Sequence, residues 1–330
     1  MKKRFLIAAM AAAMVSPIAA HANATVYGNL HLSIDSFEDN SATTADESNL
    51  NMNSNTSAIG VKGSEDLGGG MSAIYKVEFE IEPDQRNNSI TDRDQWIGLK
   101  SAMGTVKFGT MSSNYKQMGG KIDPMYRTQL EGRGFIGTQS GLHNGASESR
   151  GRMTNTVQYS SPKMGGIQAV FNTTVSGNDD ETMGLGIRYV QKGVMAYFDY
   201  IDTVAMQGGN TDAAMKIGGK FKMDALVIGA QYEMVEDSVT SGSNNSFGTI
   251  TSDDVFFLSA DYQLNDADNI AFTFGDNGSD DPGYALMYNH NLSNRTNVYA
   301  GYGDNASNDG PDTVNAYDNK VITLGMRHKF

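Results

Sequence analysis

The chain contains no cysteine, only 6 prolines among its 330 residues, and a single tryptophan. Without cysteine there are no disulfides, no thiol nucleophiles and no thiolate metal sites. Positive charge is also scarce, with 25 Lys and Arg against 38 Asp and Glu, a net charge of -13. Such an acidic chain is a poor partner for nucleic acid. After the first 20 residues no apolar run approaches the length of a membrane-crossing helix. If the chain crosses a membrane it must do so as a closed barrel, the other solution that pairs every backbone group internally.

The first residues read as a secretory leader. Lys2, Lys3 and Arg4 precede an apolar run from Phe5 to Ala20, and Ala20-His21-Ala22 has small residues flanking a cleavage point after Ala22. This predicts a removed segment over 1–22 and one mature domain over 23–330. Losing three positive charges makes the mature chain still more acidic.

The dominant signal is alternation with a period of two. In Val26–Asp35 the even positions are apolar or glycine and most odd positions are polar. Ala73, Tyr75, Val77, Phe79 and Ile81 alternate with Ser72, Lys76, Glu78 and Glu80. The pattern returns in 167–175, 215–223, 226–234, 284–292 and 322–330. Each reads as a strand with one apolar and one wet face. Trp96–Lys100 and Val194–Ile201 are apolar on both faces and do not declare a register.

Connections come in two kinds. Tight turns rich in Gly, Asn, Asp and Ser occur at 66–70, 101–104, 162–166, 191–193, 265–268 and 293–295. Longer polar segments occupy roughly 36–55, 83–92, 113–151, 204–212, 237–252, 276–281 and 304–318. Pro83, Pro124, Pro162, Pro282 and Pro311 all fall in connections, as sheet hydrogen bonding requires. Short turns at one end and long loops at the other predict an all-β, antiparallel transmembrane barrel of about sixteen strands. Aromatics near strand ends (Tyr27, Trp96, Tyr159, Tyr262, Tyr299, Phe330) are expected as interfacial girdles. The last strand ends at Phe330 and is expected to pair with the first. A water-soluble secreted β-protein is the competing fold, because alternation alone does not say which face meets water.

Several segments resemble one family in order and spacing. They are Thr25-Val26-Tyr27-Gly28; Gly63-Ser64-Glu65-Asp66-Leu67-Gly68-Gly69-Gly70-Met71-Ser72-Ala73; Trp96-Ile97-Gly98-Leu99 followed by Gly104-Thr105-Val106-Lys107-Phe108-Gly109; Asn155-Thr156-Val157-Gln158-Tyr159-Ser160-Ser161-Pro162; and Leu292-Ser293-Asn294-Arg295-Thr296 with the ending Gly325-Met326-Arg327-His328-Lys329-Phe330. The mature chain resembles the Gram-negative general porins of the neisserial and burkholderial type. That resemblance implies a sixteen-stranded barrel in the bacterial outer membrane, a homotrimer, and a third loop folded into the lumen. It also implies that Phe330 is the signal read by the barrel-assembly machinery. Where family members often carry an arginine after the fifth-strand glycine, this chain has Thr110.

By that resemblance 113–151 is the constriction loop, with Asp123, Glu131 and Glu148 as its acids and Lys116, Lys121, Arg127, Arg133 and Arg150 as its bases. Read from the residues alone, the same segment is equally an external loop with solvated charges. Strand parity places Lys62, Lys76, Lys107, Arg152, Arg188, Lys216 and Lys220 on the lumen wall. Acids facing bases across a narrow opening would give a transverse field, and charge rings bias ions by sign. Net charge suggests a weak cation preference, although much of the acid lies in outer loops that salt screens over about 8 Å. His290 and His328 have outward parity. His143 lies near Ser140, Ser147 and Glu148, but a hydrolytic triad needs rigid placement. Asp276–Asp281 lacks the glutamate of a calcium loop. The expected function is therefore passive diffusion of small hydrophilic solutes through a water-filled pore, without catalysis, metal or cofactor. Outer-membrane lipid and lipopolysaccharide are the expected surroundings. A substrate-selective channel for sugars or organic acids, with Tyr115, Tyr126 and Phe135 along its path, is one alternative. A surface adhesin is the other.

Overall fold

The computed structural model describes residues 23–39, 47–86, 90–143, 151–175, 182–202, 213–235, 254–278, 280–306 and 319–330. The expected leader over 1–22, including Ala22, and the loop residues Ser147, Glu148 and Arg150 lie outside them.

The alternating segments form antiparallel strands, each paired with its sequence neighbours. The first, β1 (Asn23–Asp39), pairs along its outer half with β2 (Glu47–Ser54) and along its inner half with β3 (Ala58–Gly68). A kink at Asn55–Ser57 separates β2 from β3, with Thr56 at φ 62° and the Asn55 N–H on the His31 carbonyl at 2.8 Å. The two are one interrupted strand, and the barrel is sixteen-stranded. The first long connection is shorter than the sequence suggests, spanning 40–46 rather than 36–55, because both strands continue past the alternating residues.

The sheet closes without a free edge. The last strand, β17 (Asn319–Lys329), pairs with β1 from Asn29↔Lys329 to Asp39↔Asn319. Phe330 and Gly28 then exchange two backbone hydrogen bonds of 3.1 Å. The Phe330 ring covers Gly28, where a Cβ would overlap it.

Strand faces separate the two β readings. Val26, Ile97 and Leu324 are 60% exposed or more, and Leu30, Ile34, Phe221, Phe272 and Leu286 join them around the outside. On β1 the alternate residues His31, Ser33 and Asp35 are buried inside. A barrel apolar outside and polar inside matches a hydrocarbon surround. Among the described residues no helix is long and apolar enough to cross a membrane, so the strands must do it.

The segment between β6 (Gly104–Ser112) and β7 (Arg152–Ser160) turns into the lumen. It begins with the helix α1 (Asn114–Ile122), whose N-terminus is capped by Ser113 Oγ accepting from the Lys116 N–H at 3.1 Å. Sixteen strands enclose more volume than wall side chains fill, and the loop occupies part of it. Where it docks, the wall is apolar. Met118 and Ile122 meet Met195, Tyr197 and Phe257; Tyr115 and Leu142 meet Met153, Ile201, Ala214 and Val235; Met125, Leu130 and Ile136 meet Ala271, Ala285, Met287 and Val321. This explains the two apolar faces of β10 (Val194–Asp202). Its outer face meets lipid and its inner face meets the loop.

The aromatic girdle needs correction. Tyr159, Tyr262 and Phe330 are exposed on the outside. Tyr27, Trp96 and Tyr299 point inward: Lys62 lies over the Tyr27 ring, Lys107 over the Trp96 ring, and Tyr299 is buried against His31. Strand-end position alone does not fix which way an aromatic faces.

Candidate pore constriction

The described loop, residues 113–143, lies against the wall from Met195 round through Phe257 and Met287 to Val321 and Phe37, and leaves the wall of β3 (Ala58–Gly68), β4 (Met71–Ile81) and β5 (Ile90–Ser101) across from it. All the parity-assigned bases point inward, on the same faces as buried or lumen-facing partners. Lys76 sits between Glu78 and Asp94, 3.1 Å from each, and Arg152 meets the other Asp94 oxygen at 3.0 Å.

Arg93 was not legible as a lumen residue. A register shift between β4 and β5 makes room for Arg93 and Asp94 opposite Glu78. Such bulges re-aim side chains, and here two consecutive residues both turn inward. Arg93 reaches Glu78 at 2.7 Å and Glu80 at 2.6 Å, while the Tyr27 hydroxyl donates to the second Glu78 oxygen. The wall charges are thus mixed and locally neutralised. Thr110 faces Gln95, on the outer side with Val77, so its replacement of the family arginine removes nothing from this wall.

The loop's own charges are also held locally. Asp123 is buried, and its carboxylate accepts the backbone N–H groups of Met125 at 2.8 Å and Gly132 at 2.9 Å. Burial pushes its pKa up to about 7, against the pull of those two hydrogen bonds. Asp123 therefore shapes the turn rather than facing the opening. Glu131 pairs with Arg133 at 2.9 Å and accepts the Arg127 N–H at 2.8 Å. Arg127, at φ 68°, rests against Tyr126. The expected opposition of loop acids to wall bases is absent from these residues. Of the loop aromatics, Tyr115 and Phe135 are buried against the wall, and only Tyr126 is partly open to the lumen.

The tip of the docked loop is fixed by a buried polar knot. Lys216 Nζ donates to His143 Nε2 at 2.8 Å and to the Tyr115 carbonyl. The other His143 nitrogen then carries the proton and faces the Ser140 carbonyl at 3.3 Å. Burial, with the positive charges of Lys216, Lys116 and Arg133, keeps the His143 pKa well below its ordinary value, so the imidazole stays neutral. Ser140 Oγ donates to Glu233 at 2.6 Å, as does the Tyr115 hydroxyl at 2.9 Å. The Ser140 hydroxyl is bonded to Glu233 and not to the His143 ring, so these residues do not form an activated nucleophile. Lys116 and Arg133 both donate to the His143 carbonyl.

The unpaired charges left along the lumen are mostly basic, with Asp261, bonded to Asn269 at 2.7 Å, an acid among them. Lys62, Lys107, Arg127, Arg188, Lys220 and Arg327 have no carboxylate within ion-pair distance among the described residues. His290 and His328 keep their outward parity, His290 bonded to Asp268 at 2.6 Å and His328 to Thr296 at 2.8 Å.

Known proteins share this architecture. The anion-selective porin from Comamonas acidovorans superposes with a TM-score of 0.74 at 19% identity, covering 94% of this chain and 100% of that one. OmpT of Vibrio cholerae, solved in a trimer form, gives 0.64 at 15% identity, covering 94% and 99%. At these identities the likeness is one of fold. In sequence, the major outer membrane protein P.IB of Neisseria gonorrhoeae is 27% identical over 203 residues, 59% of this chain and 56% of that protein, so the match spans about half the relative's length. A family model described as Gram-negative porin matches residues 8–310. An inverted-polarity barrel of sixteen strands with a lumen-docked loop, matched over most of its length by that model, belongs to the Gram-negative porin family of the outer membrane.

Proposed function

We propose that the chain is a passive, non-enzymatic channel for small hydrophilic solutes, leaning toward anions. The observation that carries the anion preference is the asymmetry of unneutralised charge. Glu78, Asp94 and Glu131 are ion-paired, and Asp123, Asp199 and Glu233 are buried. The bases named above have no such partners. Ions respond to charge within about a Debye length of their path, roughly 8 Å at physiological salt. The acidic total of -13 therefore matters less than the few bases beside the opening, and the preference runs opposite to the one net charge suggests. The likeness in fold to the anion-selective Comamonas porin supports the same reading.

Solute enters between the outer loops, passes 113–151 as the constriction, and leaves at the turn end. Assembly as a homotrimer is supported by the trimeric Vibrio relative. Cleavage after Ala22, lipopolysaccharide as outer-leaflet neighbour, and recognition of Phe330 by the barrel-assembly machinery complete the reading. The test is a planar bilayer with a potassium chloride gradient. A reversal potential of the sign set by chloride, with openings in groups of three, is expected. A potassium-signed potential would overturn the anion preference, and absence of conductance would overturn the channel.

A further inference from the structure

Near the turns, the corner of the seam where β1 meets β17 holds buried donors without acceptors. Register places His31 directly opposite Arg327, and Asn29 opposite Lys329. His31 is 1% exposed, and its Nε2 is engaged by the Tyr299 hydroxyl at 3.0 Å. Its Nδ1 has no partner. Arg327 Nε is also buried without one, and so is Nε of Arg127, which the loop brings down over the same corner. Arg127, Arg327 and Lys329 act electrostatically on His31 and on one another. Of the described acids nearby, Glu131 is held by Arg133 and the Arg127 backbone, while Asp35, further along β1, takes Ser33 and Asn53 on one carboxylate oxygen and keeps the other buried without a partner.

Holding like charges together on a half-buried wall is unfavourable, and an anion between them reverses the sign of the interaction. Guanidinium groups present paired N–H donors that match a carboxylate or phosphate and do not match a spherical ion. We propose that this corner is an oxyanion subsite, in which Arg127 from the loop and Arg327 from β17 grip a carboxylate or phosphate group of a passing solute while Lys329 adds charge and His31 Nδ1 donates from beneath. The subsite deepens the anion preference proposed above and rests on that reading. It makes the pore discriminate among anions by shape, where unpaired lumen charge alone discriminates only by sign.

The test is single-channel chloride current through the full-length protein, with acetate, succinate or inorganic phosphate titrated from the turn side. Expected is a saturable fall in chloride current with at least one of these oxyanions, and none with added bromide. Stronger block by succinate than by phosphate would assign carboxylates, and the reverse would assign phosphates. Arg127→Gln and Arg327→Gln should each weaken the block about tenfold, the scale of one lost charge-assisted contact. Arg327→Lys should give an intermediate value, and Lys192→Gln, in a turn away from the corner, none. Current that falls linearly or not at all in the unaltered protein overturns the subsite, whatever the variants do. So does block that survives both glutamine variants. The potassium chloride reversal potential keeps the two ideas apart: an anion-signed potential without saturable block sinks the subsite alone, and a cation-signed potential with block sinks the general preference alone.

Discussion

Asp123 couples the docked loop to pH. Its carboxyl keeps a proton up to about pH 7 when buried, against an ordinary value of 3.8. Between those values the docked state binds more protons than the undocked one, so docking weakens as pH rises. The contribution is complete below about pH 4 and gone above about pH 7. Backbone amide exchange through 125–139, corrected for intrinsic rates, should therefore speed up from pH 5 to pH 8. In Asp123→Asn that rise should disappear. An unchanged slope in the variant would move the titration to another group. Asp123 was visible in the sequence as a loop acid. Its burial was not, because it depends on a turn bringing the Gly132 N–H back to the carboxylate nine residues away. Arg327 is the converse case. Its parity with Thr323 and Lys329 already pointed inward, and what sequence could not supply was the loop arginine that lands beside it.

At the scale of elements, α1 depends on small residues. A Cβ on Gly119 would overlap the His143 ring, and one on Gly120 would overlap Tyr126. Alanine is otherwise the better helix residue by about 1 kcal/mol. The overlap should win at Gly119, because His143 is held at its ring by Lys216 and at its carbonyl by Lys116 and Arg133. Gly119→Ala should cost the docked loop about 1–3 kcal/mol, seen as faster trypsin cleavage within 113–143 and noisier open-channel current. Gly134→Ala should be tolerated, since its nearest neighbour is the flexible Glu131 side chain. Strands were legible at this scale because a period of two survives any tertiary context in which one face is wet. The pattern failed where contacts come from far along the chain. Inward Met195, Tyr197 and Phe257 meet a loop that sequence does not place, and the shift that turns Arg93 inward is a pairing defect between two strands rather than a property of either.

For the whole molecule the decisive physical fact is the inverted polarity, and a substitution on the outer face tests it. Leu324 lies midway along β17, 60% exposed, between Ile34 on β1 and Ala300 on β16 (Thr296–Asp304). In a soluble barrel, arginine at so exposed a site would be nearly neutral. In hydrocarbon the same change costs roughly 2–4 kcal/mol near the midplane. Leu324→Arg should therefore lower the guanidinium midpoint of the protein folded in lipid vesicles by that much. Leu292→Arg, at the turn end where headgroups begin, should cost about 0–1 kcal/mol. The gradient between the two positions is the informative quantity, because a general loss of packing would penalise Leu324 without any dependence on depth. Equal small effects at both sites would return the chain to water and leave its apolar outer face unexplained. A steep difference would place the membrane midplane at Leu324, and Arg327, which faces His31 across the β1–β17 seam, in the half of the barrel nearer the turns.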